Sequence, residues 1–295
     1  MTLDQHPTGS PLLDVRGLSV GYEAPAGFLG RRTVVPAVED VTFTIAPGET
    51  LGFVGESGSG KSTVGKAILR LVAPLSGSIV FDGRDVAEDG ARAPLAYRRQ
   101  VQAVFQDPAA SLNPRHLVSH AIETTLRRHG VTDRVELRSR SLEAFEMVGL
   151  TREHLQRFPN ELSGGQQQRV AIARALVLQP RLVVCDEAVS ALDLSTQGQI
   201  INLLADLQMA TGVSYLFIAH DLGLVRHIAH RVGVMSTGRL VELADTEQIF
   251  RSPQHPYTRR LLGATPSSHP DGREERRARR QAFREKAAEV APVES

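Results

Sequence analysis

Cysteine is almost missing from this chain: Cys185 is the one thiol in 295 residues. No internal disulfide framework can form, which is the expectation for a reducing compartment. Long apolar runs are missing as well. No uninterrupted hydrophobic stretch approaches the roughly 20 residues of a bilayer-spanning helix, so any membrane role is expected to be peripheral and to pass through partners. Met1–Pro11 is polar and lacks a basic region followed by an apolar core, so no secretory signal is predicted there. An excess of charge of one sign is also absent. The net charge is +1, and bulk charge therefore argues neither for nor against nucleic acid or a membrane surface. No internal repeat is present. What remains is an ordinary globular composition, 41% apolar and 23% charged, in a chain long enough for one large core or two smaller ones.

One stretch organises the rest: Gly55-Glu56-Ser57-Gly58-Ser59-Gly60-Lys61-Ser62-Thr63. It follows the apolar run Leu51–Val54, a short buried strand, and precedes Val64–Leu71, which predicts a helix with Val64, Ile68 and Leu71 on one face. Strand, Gly-rich turn, Lys-Ser and helix form the context of a phosphate-binding loop. Glycines let backbone N–H groups curl around an anion without Cβ clashes. The following helix adds its unpaired N–H groups and positive dipole end. Lys61 is placed to reach β- and γ-phosphates, and the Ser62 hydroxyl to ligate Mg²⁺.

Along the chain, Leu12–Tyr22 and Val38–Ile45 alternate as strands, with residues 24–36 predicted as a loop. Ser78–Gly83 is a strand closing on a turn, and the early strands are expected to be antiparallel. Residues 84–100 are charged and poorly patterned, and Val101–Phe105 is a strand. Helices are predicted over Val118–His129, Arg134–Val148 and Gly165–Leu178, with Thr132 or Asp133 as a cap. Residues 107–163 thus read as a helical subdomain inserted into an α/β body. Arg181–Glu187 and Ser214–Asp221 are buried strands, with helices over Leu192–Met209 and Asp221–Ala229. A hairpin spans Arg231–Glu242, and short helices Thr246–Phe250 and Pro256–Leu262 follow. Residues 1–11 read as an N-terminal tail, 12–265 as the folded body and 266–295 as a charged, solvated tail.

Asp186 and Glu187 end an almost wholly apolar strand. Two adjacent carboxylates there are costly to bury without a cation. Asp186 is the candidate for holding Mg²⁺, and Glu187 for polarising an attacking water as general base. Leu162-Ser163-Gly164-Gly165-Gln166 precedes another helix. On its own it fits an anion site at a helix N-terminus and an ordinary N-cap with a Gly turn equally. His220, alone, reads as a satisfied strand-end histidine.

Taken together, the segments between about residues 12 and 262 resemble the ATP-binding subunits of ABC transporters. The resemblance makes Gly55–Ser62 the Walker A loop, Gln106 the Q-loop glutamine and Leu162–Gln166 the signature. Leu182–Asp186 becomes Walker B with Glu187 behind it, Ser190-Ala191-Leu192-Asp193 the D-loop, and His220 the switch histidine. It implies the corresponding fold: a P-loop NTPase core with an antiparallel β subdomain and an inserted α-helical subdomain. It implies ATP and Mg²⁺ as cofactors, with Gly55, Ser57, Gly58, Ser59, Gly60, Lys61, Ser62 and Thr63 around the phosphates. Ser62, Gln106 and Asp186 would hold the metal, and Glu187, Gln106 and His220 would serve catalysis. Tyr22 would stack on adenine, although a strand-end tyrosine serves packing as often. The implied site is shared. Two cassettes meet head to tail, and Ser163, Gly164, Gly165, Gln166 and Asp193 of one close the nucleotide held by the other. Ala188 stands where the family usually has proline, which would stiffen the turn and whose loss is expected to loosen Glu187.

Val104–Pro108, Ser111-Leu112-Asn113-Pro114-Arg115 and His255-Pro256-Tyr257-Thr258-Arg259 look like the dipeptide/oligopeptide and nickel importer branch, specifically its second ATPase subunit. The implied partners are a homologous ATPase or a second copy, two transmembrane permeases and an extracytoplasmic solute-binding protein. The implied location is the cytoplasmic face of the inner membrane. The implied cargo is di- or oligopeptides, with nickel or another small solute as the alternative. No nucleic acid is expected: ABC proteins acting on DNA or ribosomes carry coiled-coil inserts or two cassettes, and this chain shows one. A nucleotide-dependent kinase or switch GTPase is disfavoured by the signature motif and His220, and no Asn-Lys-x-Asp motif occurs. With Cys185 alone, no iron–sulfur cluster is expected.

Overall fold

The computed structural model describes residues 10–26, 31–86, 93–108 and 110–264. The two tails of the sequence reading, 1–11 for the most part and 266–295, lie outside them. Two sheets pack against one another. The first is antiparallel, in the order β2-β1-β4-β5, with β1 Leu13–Ala26, β2 Arg31–Ile45, β4 Ser76–Phe81 and β5 Arg84–Asp85. The second has the order β10-β9-β3-β8-β7-β6. In it β3 (Thr50–Val54), β6 (Val101–Phe105), β7 (Leu182–Asp186), β8 (Ser214–Ile218) and β9 (Arg231–Ser236) are parallel, and β10 (Arg239–Asp245) returns antiparallel from β9. The early strands are antiparallel as expected, but β3 leaves them for the second sheet.

The central strands are apolar almost throughout because both faces are covered. In β7, Leu182 and Val184 enter one core while Val183 and Cys185 enter the other. In β8, Leu216 and Ile218 face the first, and Tyr215 and Phe217 the second. A period of two on a doubly buried strand produces this sorting. The first core lies between the sheets and contains Val64, Ala67 and Ile68 of α1 (Lys61–Ile68). Phe43 of β2 meets Phe53 of β3 edge-on there, with centroids 4.9 Å apart, a contact worth about 1 kcal/mol beyond its area. The second core is built with α3 (Val118–Arg128), α4 (Arg134–Met147), α5 (Gly164–Leu176), α6 (Leu194–Thr211) and α7 (Leu222–Ile228). Asp133 caps α4 by accepting from Glu136 N–H at 2.8 Å, as its position predicts. Two 3-10 turns, Arg152–Gln156 and Pro159–Glu161, precede α5.

Three sequence expectations change. Residues 24–26 and 31–36 are strand, not loop: β1 and β2 stay paired from Gly21 with Pro36 out to Ala26 with Arg31. β4 pairs only with Leu13–Ser19 of β1, so beyond that point the hairpin is a two-stranded ribbon. Each of its strands is then an edge, where proline costs no ladder bond. Leu71 is 62% exposed rather than on the buried face of α1. The helix ends at Ile68 because Arg70 turns left-handed (φ 56°), with Leu71 N–H returning to Lys66 C=O. That is a Schellman closure. Within the unpatterned stretch, α2 (Leu95–Gln100) forms around a single buried residue, Tyr97, whose hydroxyl donates to Ile68 C=O and whose ring meets Phe81 edge-on.

At Gly52, α7 packs tightly against β3. A Cβ there would lie 2.3 Å from Val225 Cγ1 and 3.0 Å from Ala229 Cβ. Gly52→Ala is expected to destabilise the protein by about 1–3 kcal/mol through overpacking, read as a lower urea midpoint at unchanged m-value.

Candidate functional site

The site forms where parallel strands end side by side. Phe105 pairs with Asp186, and Asp186 with Ile218, while Phe53 pairs with Ile218 from the other side. Open α/β sheets bind ligands at this carboxyl edge. From β3 the chain enters the Gly-rich loop. Gly55 has φ 149°, and a Cβ there would sit 2.1 Å from Met235 C=O on β9. Gly60 has φ 100°, with Ala37 C=O 2.7 Å from its would-be Cβ. Both positions need glycine for conformation and for space. Ser57 and Gly58 are exposed on the crest and Ser59 is buried. Gly60 is the N-cap of α1 and supplies no side-chain capping bond, leaving first-turn N–H donors for an anion.

Lys61 is only 4% exposed. Its Nζ donates to Gly55 C=O and Glu56 C=O, each at 2.8 Å, and approaches Ser59 Oγ at 3.3 Å. Burial pushes its pKa down, opposed by the charges of Glu187 and Asp186. The Ser62 hydroxyl donates to Asp186 Oδ1 at 2.7 Å. A hydroxyl and a carboxylate side by side are hard oxygen donors that suit Mg²⁺, which takes one or two protein oxygens and completes its shell with water and phosphate. Among the described residues no group of three or more His, Cys, Asp or Glu is arranged to hold a metal, so an all-protein cage of those residues is not offered.

Glu187 adopts φ 51°, and its N–H donates to Ile218 C=O at 2.9 Å. It lines a small cleft with Ser190, Gln197, Ala219, His220 and Asp221. His220 is exposed at the end of β8, and Asp221 caps α7 by accepting from Gly223 N–H. Gln106 is exposed at the tip of β6, one residue past the partner of Asp186. The Tyr22 hydroxyl and Thr63 Oγ1 are 3.3 Å apart, which sets this aromatic beside the start of α1.

The signature residues stand apart. Ser163 and Gln166 form a capping box on α5, with Ser163 N–H to Gln166 Oε1 at 3.0 Å and Gln166 N–H to Ser163 Oγ at 3.3 Å. Ser163 and Gly164 are exposed. Gly165 lets α5 meet α6: a Cβ there would fall 2.6 Å from Thr196 Cγ2. Asp193 caps α6 by accepting from Thr196 N–H and Oγ1, and these bonds hold its carboxyl below the usual range. No hydrogen bond among the described residues links Ser163, Gly164, Gly165, Gln166 or Asp193 to the loop 55–63. One contact escaped sequence reasoning: the Glu56 N–H donates to the Tyr257 hydroxyl at 3.2 Å. The pair is 201 positions apart, too far for local spacing to signal.

A phosphate-type loop at the carboxyl edge, with a hydroxyl–carboxylate pair and a glutamate–histidine cleft beside it, defines a P-loop nucleotide-binding fold of the cassette type. The family model described as ABC transporter matches residues 38–190, and the chain belongs to that family. The model described as oligopeptide/dipeptide transporter, C-terminal region, matches residues 241–289. The glutathione import ATP-binding protein GsiA of Salmonella typhimurium is 50% identical over 272 residues, covering 91% of this chain and 43% of the relative. That of Escherichia coli K12 is 50% identical over 263 residues, covering 89% and 42%. The chain therefore spans about two-fifths of the length of these relatives. Among solved structures, the ATP-binding cassette MJ0796, described as a dimeric post-hydrolysis state bound to ADP and Pi, aligns with TM-score 0.68 at 29% identity. That alignment covers 79% of this chain and 98% of that one. The cbiO1 protein of Clostridium perfringens, part of the cbiONQ complex, aligns with TM-score 0.70 at 26% identity, covering 83% and 92%.

Cys185, next to Asp186 but inside the core, has its thiol pushed up to about 12 by burial and then by the Asp186 charge. The native protein is expected to resist a thiol-specific reagent at pH 8 and to react with one equivalent once unfolded. Rapid native labelling would contradict the packing described.

Proposed function

We infer that this chain is the ATP-hydrolysing subunit of an importer that takes up di- or oligopeptides. The observation that carries the chemistry is the convergence at one sheet edge of Lys61, Ser62, Asp186 and Glu187, with His220 in the Glu187 cleft. The C-terminal family model and the glutathione-import relatives support a short-peptide cargo, glutathione being a tripeptide. We assign residues 12–265 to the cassette, with 107–163 as its helical insert.

The loop N–H groups, the α1 N-terminus and Lys61 hold the triphosphate, and Tyr22 flanks the adenine. Ser62, Asp186 and Gln106 would hold Mg²⁺, which would supply charge neutralisation at the phosphates. Glu187 accepts the proton of the attacking water, and His220 orients that water against the γ-phosphate. The exposed Ser163, Gly164, Gly165 and Gln166, with Asp193, close the nucleotide of an opposing cassette, whether a homologous ATPase or a second copy. The γ-phosphate then bridges two helix N-termini, a contact ADP lacks, so ATP favours the closed pair and hydrolysis releases it. Among the described residues no helix is long and apolar enough to cross a membrane. The import relatives and the C-terminal family model support permease partners, with a solute-binding protein outside and this chain on the cytoplasmic face.

Glu187→Gln is expected to retain ATP binding, to accumulate an ATP-dependent dimer in size-exclusion chromatography, and to cut turnover by roughly two orders of magnitude or more. Unchanged turnover would remove Glu187 as the base. Lys61→Ala is expected to weaken ATP affinity at least about tenfold, read by calorimetry. Normal affinity would contradict the cradle.

A further inference from the structure

The P-loop is held by a group outside the constellation just described. Tyr257 lies in α9 (Pro256–Ala264), and its hydroxyl accepts the Glu56 N–H at 3.2 Å. Tyr257 is 9% exposed and belongs to the core between the second sheet and the helices. The start of α9 is clamped to β10. The two carboxylate oxygens of Glu242 accept the N–H groups of Gln254 at 2.7 Å and His255 at 3.0 Å. Tyr257 N–H donates to His255 Nδ1 at 3.2 Å, and Arg259 ties back to Pro253 C=O and Gln254 C=O. β10 pairs with β9, and β9 with β3, the strand that feeds the loop. A closed frame thus runs from the loop through the sheet to α9 and back to the loop.

Within that frame the Gly55–Glu56 peptide is held on both sides: its carbonyl, that of Gly55, by Lys61 Nζ, and its N–H, that of Glu56, by Tyr257. A triphosphate that recruits the Lys61 ammonium draws a donor away from that carbonyl. The tyrosine bond involves no phosphate ligand and can persist. A peptide fixed before binding loses less conformational entropy when the ligand arrives.

We propose that Tyr257 is a positioning residue of the nucleotide site, its hydroxyl fixing the Gly55–Glu56 peptide so that the phosphate cradle is preformed, which makes the segment around α9 a determinant of ATP affinity. This rests on the phosphate-cradle reading above. Tyr257→Phe in the full chain removes the hydroxyl and keeps the ring. Amide hydrogen exchange over residues 53–60 of the nucleotide-free protein is expected to quicken roughly threefold to tenfold, the range of one lost hydrogen bond. The KM for ATP is expected to rise by a similar factor, with kcat at saturating ATP within about twofold of wild type. Unaltered exchange and KM would overturn the assignment while leaving the ATP site standing. So would a loss of affinity accompanied by faster exchange throughout the core and a lower melting point, which is the mark of a general packing defect. Failure of the wild-type chain to bind ATP would instead overturn the cradle reading, and this assignment with it.

Discussion

A lysine ammonium almost sealed inside a loop is the constraint around which this molecule is built. An unpaired ammonium in a dry interior costs several kcal/mol, so Lys61 must be surrounded by acceptors. Its loop turns the Gly55 and Glu56 carbonyls inward to supply them. That inward turn is available because Gly55 can adopt φ 149° against the Met235 carbonyl. The charges of Asp186 and Glu187 add longer-range compensation, which requires β7 to end level with β3. Neutral carbonyls are weaker partners for an ammonium than a phosphate oxygen. The loop is therefore held together by contacts that an anionic ligand improves upon.

The same logic explains why polar groups gather at one edge of the sheet. β3 and β8 are buried along their whole length, and β7 along all but its last residue. Charged side chains accordingly gather where these strands stop. Asp186 follows Cys185 at such a point, and His220 lies two residues past the last residue of β8. Two side chains one position apart, Cys185 and Asp186, thus have opposite fates: a thiol held protonated by burial, and a carboxylate hydrogen-bonded to Ser62.

Much of this was legible in the sequence because the signals are local. The loop 55–63, the apolar runs before Val54 and Asp186, and the alternation along β1 and β2 each declare themselves within about ten residues. The outer ribbon is not legible there, because Pro25 and Pro36 have the look of loop breakers and only the pairing of the sheet makes their strands edges. Leu71 fits the helical period but lies outside the helix, because the chain closes on Arg70, a residue with no Gly-like signature for a left-handed turn. α2 was invisible because one buried tyrosine, not a periodic face, holds it. The stretch His255–Arg259 could be read as a family marker, but its contact with Glu56 depends on the register of β10, β9 and β3 together. Ser163 and its neighbours fit a helix cap and an anion site equally in the sequence; the fold shows the capping box with Gln166 and leaves Ser163 and Gly164 exposed.

The alanine after Glu187 shows how a local rule can be displaced by context. A proline there would restrict the turn through its ring, and its absence suggests a looser glutamate. In the fold, Glu187 is fixed by other means. Its N–H is tied to Ile218, and its carbonyl accepts both Ser190 N–H at 3.1 Å and Ser190 Oγ–H at 3.0 Å. Ala188 itself is 1% exposed and Val189 3%, so the turn is packed as well as hydrogen-bonded. The left-handed φ of 51° at Glu187 is uncommon for a residue with a side chain, and it persists because three hydrogen bonds and two buried neighbours over-determine it. Stiffness that a ring would supply covalently is here supplied by Ser190, and Glu187 lines the His220 cleft without a proline.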